Sequence, residues 1–330
     1  PTLALGGALS AVGNLWCAEA SGFPEFLLAR FVAGAGAGFV VTGGHVVLAD
    51  ISTPERRGRM MAVYQGVFLF AVGLGPLPGG WLAQHYGLDA PFHAYAIAGT
   101  LVSALAFLAV PETRDFRDQR AVLGGKRPAH LAQLKALFSQ TGFLLVSLVM
   151  FVNAFTRTGG LFNVVPVLGV ERLGLSTTQI GFGLALGSLG GLVVTYPAGT
   201  LADRYGRKSV IVPSTVIMAL SYFMYCLAPS YAWFLAACVA WGTAASVAGA
   251  APAAYAVDSA PPGMNAAAVS SFRLLSDLGY VIGPIVMGLM VDFHSAEFAL
   301  TASSIALLLI GLTFALKAPE TYSGWRRSDR

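Results

Sequence analysis

The chain is built almost entirely from apolar runs long enough to cross a bilayer, and that leaves it very few folds. Ten such runs lie at approximately 1–18, 25–49, 60–83, 91–110, 142–168, 179–202, 209–228, 232–257, 266–291 and 296–317. A hydrocarbon core about 30 Å thick takes about 20 apolar residues of helix to span. Backbone groups in lipid must find hydrogen bonds inside the protein, so a span is a helix or a strand of a closed barrel. The runs lack the period-two alternation of barrel strands. The expected fold is therefore all-α and polytopic. Only 11% of residues are charged and 56% are hydrophobic, whereas a soluble domain carries about 25% charged residues.

A net charge of +4 would suit a nucleic-acid-binding face if the bases were clustered. They are dealt out between the apolar runs instead, so no nucleic-acid partner is expected. Arg56, Arg57 and Arg59 follow the second run, and Arg114, Arg117, Arg120, Lys126, Arg127 and Lys135 follow the fourth. Arg204, Arg207 and Lys208 follow the sixth, and Lys317, Arg326, Arg327 and Arg330 follow the tenth. Sixteen of the 20 Lys and Arg thus fall on alternate loops. The opposite loops hold Arg172, and Arg30, Arg157 and Arg273 lie within runs. The positive-inside rule places the basic loops and the C-terminus in the cytoplasm. Cys17, Cys226 and Cys238 lie in apolar runs without paired spacing and read as packing residues, not disulfides or metal ligands. The N-terminus lacks the basic region and cleavage site of a signal peptide.

An internal repeat runs through the chain at a constant offset of 208 residues. Asp50-x3-Pro54 recurs as Asp258-x3-Pro262, Gly75-Pro76 as Gly283-Pro284, Gly80 as Gly288, and Pro111-Glu112-Thr113 as Pro319-Glu320-Thr321. Two parallel halves follow: an N-terminal bundle of four helices over 1–113 and a C-terminal bundle of six over 142–330. A basic linker over 114–141 joins them. Its apolar positions Leu131, Leu134, Leu137 and Phe138 suit either a membrane-surface helix or a plain tether.

Between the sixth and seventh runs lies Gly199–Ile211, which reads GTLADRYGRKSVI. This charged, Gly-punctuated turn resembles, at every specified position, the signature loop Gly-x-Leu-Ala-Asp-Arg-x-Gly-Arg-Lys of the major facilitator superfamily. The chain is identified on these residues as a member of that family. The resemblance implies two pseudo-symmetric six-helix bundles that rock about a central site, exposing it to each side in turn. It implies that Gly199 permits close helix approach and that Asp203 and Arg204 latch the cytoplasmic side. Gly206 makes the turn, with Arg207 and Lys208 in the same loop. The bases of this loop also enforce topology, and Lys208 fits that role as well as the latch. The first-half copy of the loop would fall upstream of Pro1, so two helices of an expected twelve are read as absent from this sequence. A natural ten-helix protein is the other reading.

Arg30 to Gly38 reads Arg-Phe-Val-Ala-Gly-Ala-Gly-Ala-Gly. It resembles the family pattern Arg-x-x-Gln-Gly-x-Gly, with Ala33 in place of Gln, and the resemblance associates Arg30 with proton coupling. Arg30 is also close enough to the external end to snorkel. The Gly34-x3-Gly38 spacing reads as a helix-packing surface. Gly66, Gly75, Pro76, Gly79 and Gly80 resemble the Gly-Pro-x-x-Gly-Gly end of the motif typical of drug/proton antiporters. The match is partial, because Ala62 and Ala71 stand where that motif has glycine. Gly283 and Pro284 carry the packing role in the second half.

The remaining intramembrane polar groups are the cavity candidates. Asn153 and Arg157 are four apart and share one helical face. Arg157 suits either an anionic substrate, a counter-charge to a proton-carrying acid, or a structural partner for an acid elsewhere. Arg273 and Asp277 are also four apart and can pair with each other. Asp277 is the visible carboxylate deepest in a run and the leading proton carrier. Histidine is the residue type that can change charge near neutral pH, but His45 suits packing equally well. Gln65, Tyr196, Trp241 and Tyr255 can line a polar-aromatic cavity. No Ser/His/Asp set, phosphate-binding loop or Cys/His cluster has usable spacing, so no enzyme, metal or organic cofactor is expected. The resemblance implies proton-coupled export of a small organic solute or drug by a monomer in a bacterial inner membrane. The alternatives are proton-linked uptake of an organic anion, or a non-transporting membrane sensor or inactive fragment.

Overall fold

The computed structural model describes residues 2–51, 60, 63–64, 67–68, 70–110, 130–248, 251–261 and 264–321. At residues 46, 49, 50, 130–132, 195, 196, 198–200, 202, 203 and 266 it describes the backbone alone. Among the described residues the regular structure is helical throughout. Eight helices among the described residues are long and apolar enough to cross a membrane, from Phe23–His45 to Ala296–Lys317. Of the other two runs read from the sequence, the first forms an 18-residue helix over Thr2–Glu19. The run at 60–83 falls partly outside the described residues.

The chain divides into two compact units, Pro1–Lys126 and Arg127–Arg330. In the first, α1 (Thr2–Glu19), α2 (Phe23–Ile51), α3 (Pro76–Tyr86) and α4 (Ala90–Ala109) are described. Helix α1 packs on both α2 and α4. The turn from α1 to α2 is closed by Glu25, whose carboxylate accepts from the Trp16 indole at 2.9 Å and from the Ser21 amide and hydroxyl at 3.0 and 2.8 Å. The face of α2 that meets α1 lies beside the Gly34-x3-Gly38 face. Ala33 and Gly36 meet Gly13 and Ser10, while a methyl group added at Gly34 or Gly38 would have no heavy atom within 4 Å among the described residues. At 100° per residue, positions 33 and 36 share a face that 34 and 38 do not.

The second unit begins with α5 (His130–Phe138), then α6 (Thr141–Phe155), a π-helical segment (Thr156–Val164) and α7 (Val165–Leu173). There follow α8 (Thr177–Tyr205), α9 (Lys208–Leu227), α10 (Tyr231–Val247), α11 (Ala251–Asp258), α12 (Asn265–Phe293) and α13 (Ala296–Lys317). Local chemistry sets several of these boundaries. Gly174 ends α7 in the left-handed region at φ +60°, and Ser176 with Gln179 forms a reciprocal capping box that starts α8. Ser295 caps α13 by accepting from the Phe298 amide at 3.1 Å.

Two apolar clusters hold the unit together, one toward each end of its spans. One gathers Leu137, Phe143, Val149, Ile211, Tyr255 and Phe314 around the basic-loop end. The other gathers Leu161, Leu168, Tyr222, Phe234, Trp241 and Leu300 toward the opposite end. Leu137, fully buried, docks α5 onto this unit, with Phe138 edge-on to Phe143 at 5.4 Å. The short helix is therefore packed against protein through that face. Large apolar side chains are also widely exposed, as at Phe107, Leu108 and Val193. Such a surface is unsuited to water and suited to lipid.

Candidate functional site

Two places in the second unit bring together residues singled out by the sequence. The first is the turn between α8 and α9. Gly206 adopts φ +96° there, a conformation glycine enters without steric cost. A methyl group at Gly206 would lie 2.8 Å from the Glu320 carboxylate. That carboxylate accepts from the Arg207 and Lys208 amides, both at 3.1 Å, at the start of α9. A negative charge at a helix N-terminus meets unsatisfied amides and the positive end of the helix dipole. Lys208 Nζ donates to the Ala318 carbonyl at 2.8 Å, and Arg207 Nε lies 3.6 Å from Asp258 Oδ2. Arg204 is exposed, its guanidinium 5.4 Å from the Tyr205 ring centroid. Gly199 and Asp203 lie on α8, and their contacts fall outside the described residues.

Sequence reasoning missed Glu320 and Asp258 as parts of this turn. The repeat marked both, through Pro319-Glu320-Thr321 and Asp258-x3-Pro262, but a repeat does not say what its members touch.

The second place lies midway along the span Thr141–Leu173. Here the α-helix opens into the π-helical segment Thr156–Val164. The wider π register leaves carbonyls without their usual partners. The Tyr222 hydroxyl of α9 donates to one of them, Thr156 O, at 2.6 Å. The Thr158 hydroxyl donates to Ala154 O at 2.9 Å and to Tyr280 O of α12 at 3.4 Å. Close contact with α12 is made through glycine: a methyl at Gly159 would sit 2.6 Å from the Gly283 carbonyl, and one at Gly283 would strike the Phe155 carbonyl. Pro284 follows within the same helix.

Arg157 emerges from this segment. Its guanidinium carbon lies 5.8 Å from the Phe162 ring centroid and 5.9 Å from that of Trp241 on α10. Cation–π contact of this kind stabilises a charge only partly. Three buried atoms here have no hydrogen-bond partner among the described residues: Arg157 Nε, Asn153 Oδ1 and Trp241 Nε1. Among the described residues no carboxylate forms an ion pair with Arg157. An arginine at the centre of a span costs about 2.5–3.5 kcal/mol on insertion scales. That cost is carried here with two donors and an acceptor left unpaired among the described residues.

The other sequence candidates are placed differently. Tyr255 is fully buried, with its hydroxyl donated to the Pro319 carbonyl and its ring 5.1 Å from that of Phe314. It therefore packs against the C-terminal end of α13, with its polar tip taken by the backbone. Arg273 and Asp277 are both exposed on α12, with no ion pair between them. In the first unit Arg30 is exposed, 5.9 Å from the Phe92 ring centroid. His45 bonds its Nδ1 to Val41 O at 2.8 Å and meets the Tyr64 ring edge-on at 4.7 Å, which is a packing arrangement. Gly75 and Pro76 start α3, whereas Gly79 has no heavy atom within 4 Å of a methyl position among the described residues. Gly80 lies on α3 as well. Tyr196 lies on α8 with its side chain outside the described residues, and Gln65 and Gly66 lie outside them altogether.

Comparison with known proteins agrees with this architecture. A transporter of Methanocaldococcus jannaschii, described as an uncharacterized MFS-type transporter, is 24% identical over 298 residues, covering 88% of this chain and 74% of its own. The multidrug resistance protein MdtL of Shewanella oneidensis is 26% identical over 230 residues, or 69% of this chain. The match spans 56% of that MdtL and 54% of the one from Klebsiella pneumoniae, so the chain spans about half the length of these relatives. Among solved structures, a bacterial homologue of the human lysosomal transporter Spinster matches with a TM-score of 0.76 at 15% identity, over 96% of this chain and 82% of that one. A D-xylose–proton symporter matches at 0.71 and 19% identity, over 97% and 81%. At these identities the structural likeness speaks to fold alone. The family model described as Major Facilitator Superfamily matches residues 1–187 and 150–329, and this integral membrane protein belongs to that family.

Proposed function

We propose that the protein is a secondary active transporter that works by alternating access, coupling inward proton movement to export of a small organic solute. The observation that carries this reading is the set of unpartnered polar atoms on Asn153, Arg157 and Trp241 at mid-span. Lipid-facing helices have no use for such groups, whereas a solute pathway requires them. Export is favoured by the Gly75-Pro76-x-x-Gly79-Gly80 sequence and by the relatives named for multidrug resistance. Asp277, an exposed carboxylate within the α12 span, is the proposed proton carrier. The loop at Gly199, Asp203, Arg204, Gly206, Arg207 and Lys208 is the conformational latch, with Glu320 as its brace. The halves 1–113 and 142–330 move as the two bodies, joined by 114–141. The protein functions as a monomer in a bacterial inner membrane, with its C-terminus in the cytoplasm and no bound cofactor.

The test is flux from proteoliposomes under an imposed pH gradient, with lipophilic cations, sugars and organic acids as cargo. Gradient-driven efflux that disappears in Asp277→Asn supports the reading. Flux indifferent to the gradient refutes proton coupling, and no flux for any cargo refutes transport.

A further inference from the structure

The unpartnered atoms also speak to what the solute is. Arg157 Nε–H and Trp241 Nε1–H are buried donors that form no hydrogen bond among the described residues, and Asn153 Oδ1 is a buried acceptor one turn before Arg157. The guanidinium is flanked by two aromatic rings, Phe162 and Trp241, and no carboxylate among the described residues neutralises it. Arg157 stands midway along the 33-residue span Thr141–Leu173, so in a hydrocarbon core about 30 Å thick it lies about 15 Å from either face. That is too deep for a snorkelling side chain to reach lipid headgroups. A positive group held this way, with added donors, is matched by an anion whose oxygens accept from both. It is mismatched to a lipophilic cation, which would face a like charge in a low-dielectric setting.

We propose that Arg157, Trp241 and Asn153 form a built subsite for the carboxylate of an organic acid. The carboxylate oxygens take the Arg157 and Trp241 donors, and a hydroxyl or N–H beside the carboxylate supplies the Asn153 acceptor. The solute is thereby an organic anion, a refinement that rests on the transport reading above for its being cargo. The segment that carries Arg157 is suited to such a contact. Its π-helical turn is pinned by Tyr222 at Thr156 and by Gly283 at Gly159, so the guanidinium is presented from a fixed backbone and not from a pliable one.

The test is equilibrium binding to the purified protein in detergent. Radiolabelled salicylate, lactate, indole-3-acetate and citrate serve as carboxylate probes, with salicylamide and tetraphenylphosphonium as neutral and cationic competitors. The expected result is saturable binding of at least one carboxylate. Salicylamide competes at least tenfold less well than salicylate where salicylate is that probe. Arg157→Gln weakens the bound carboxylate at least tenfold, Arg157→Lys less, and Trp241→Phe several-fold. If Arg157→Gln does not fold, the Arg157→Lys and Trp241→Phe variants and the salicylate–salicylamide contrast carry the decision. Binding of none of the four acids, equal competition by the amide or the cation, or an Arg157→Gln affinity within twofold of the parent overturns the proposal. Gradient-driven export of a cation unaffected by Arg157→Gln would sink this inference and leave transport standing. Arg157-dependent carboxylate binding without any flux would do the reverse.

Discussion

Gly206 and Glu320 are separated by more than a hundred residues and act as one structural unit. The carboxylate satisfies two amides at the start of α9, and the missing side chain at Gly206 gives it room. Glu320→Ala is expected to cost about 1–3 kcal/mol, since it leaves those amides without a partner. Gly206→Ala is expected to cost about 1–3 kcal/mol from the positive-φ backbone alone, which at φ +96° and ψ +161° is a conformation used almost only by glycine. Thermal unfolding in detergent checks both, and Glu320→Gln should recover part of the loss as an uncharged acceptor. Because both changes disturb one cap, the double variant should lose less than the two losses added. Additive losses would mean that the residues act separately. The glycine was legible in the sequence as a turn residue, but its partner was not, because chain distance hides a contact that only α13 folding back beside α9 creates.

At the scale of the element, the span Thr141–Leu173 is the unusual one, because its middle is π-helical. Hydropathy and spacing show a long apolar run with Asn153 and Arg157 on one face, and nothing in them distinguishes an i→i+5 register from an i→i+4 one. The register is decided by what packs around it: a tyrosine hydroxyl for the freed carbonyl, and a glycine on α12 where the backbones nearly touch. Gly283→Val is therefore expected to prevent close seating of α12 on this segment. The measurement is the yield of monodisperse protein by size exclusion, which should fall sharply, whereas Gly79→Val should leave it near the parent level. A normal yield for Gly283→Val would show that the approach of the two helices is not required. The same logic applies to α2: a small-residue spacing such as Gly34-x3-Gly38 marks a face able to pack, and the face that meets α1 is the adjoining one at Ala33 and Gly36.

For the whole molecule, the alternation of basic and near-neutral loops predicts a topology that chemistry can check. The native cysteines Cys17, Cys226 and Cys238 are all buried, so an introduced cysteine should dominate labelling by a membrane-impermeant maleimide. Glu171 and Tyr205 are both exposed and lie in the last turns of the successive helices α7 and α8, beside successive loops. In intact cells Glu171→Cys should label from outside, and Tyr205→Cys only after permeabilisation. Labelling of both from one side would overturn the orientation. The all-α membrane class, the spans and the family were legible in the sequence, because bilayer thickness and backbone satisfaction act on composition and run length before any tertiary contact forms. The polar groups themselves were legible, because Asn153, Arg157, Trp241 and Tyr255 all stand out in apolar runs. Their surroundings were not: the Tyr255 hydroxyl is placed on a backbone carbonyl, and the polar atoms of the other three are left without a hydrogen bond among the described residues. Type and spacing show that a group is polar and roughly how deep it lies. Whether its hydrogen-bonding capacity is spent inside the protein or left for a ligand depends on which helix lies opposite, and only the tertiary structure decides that.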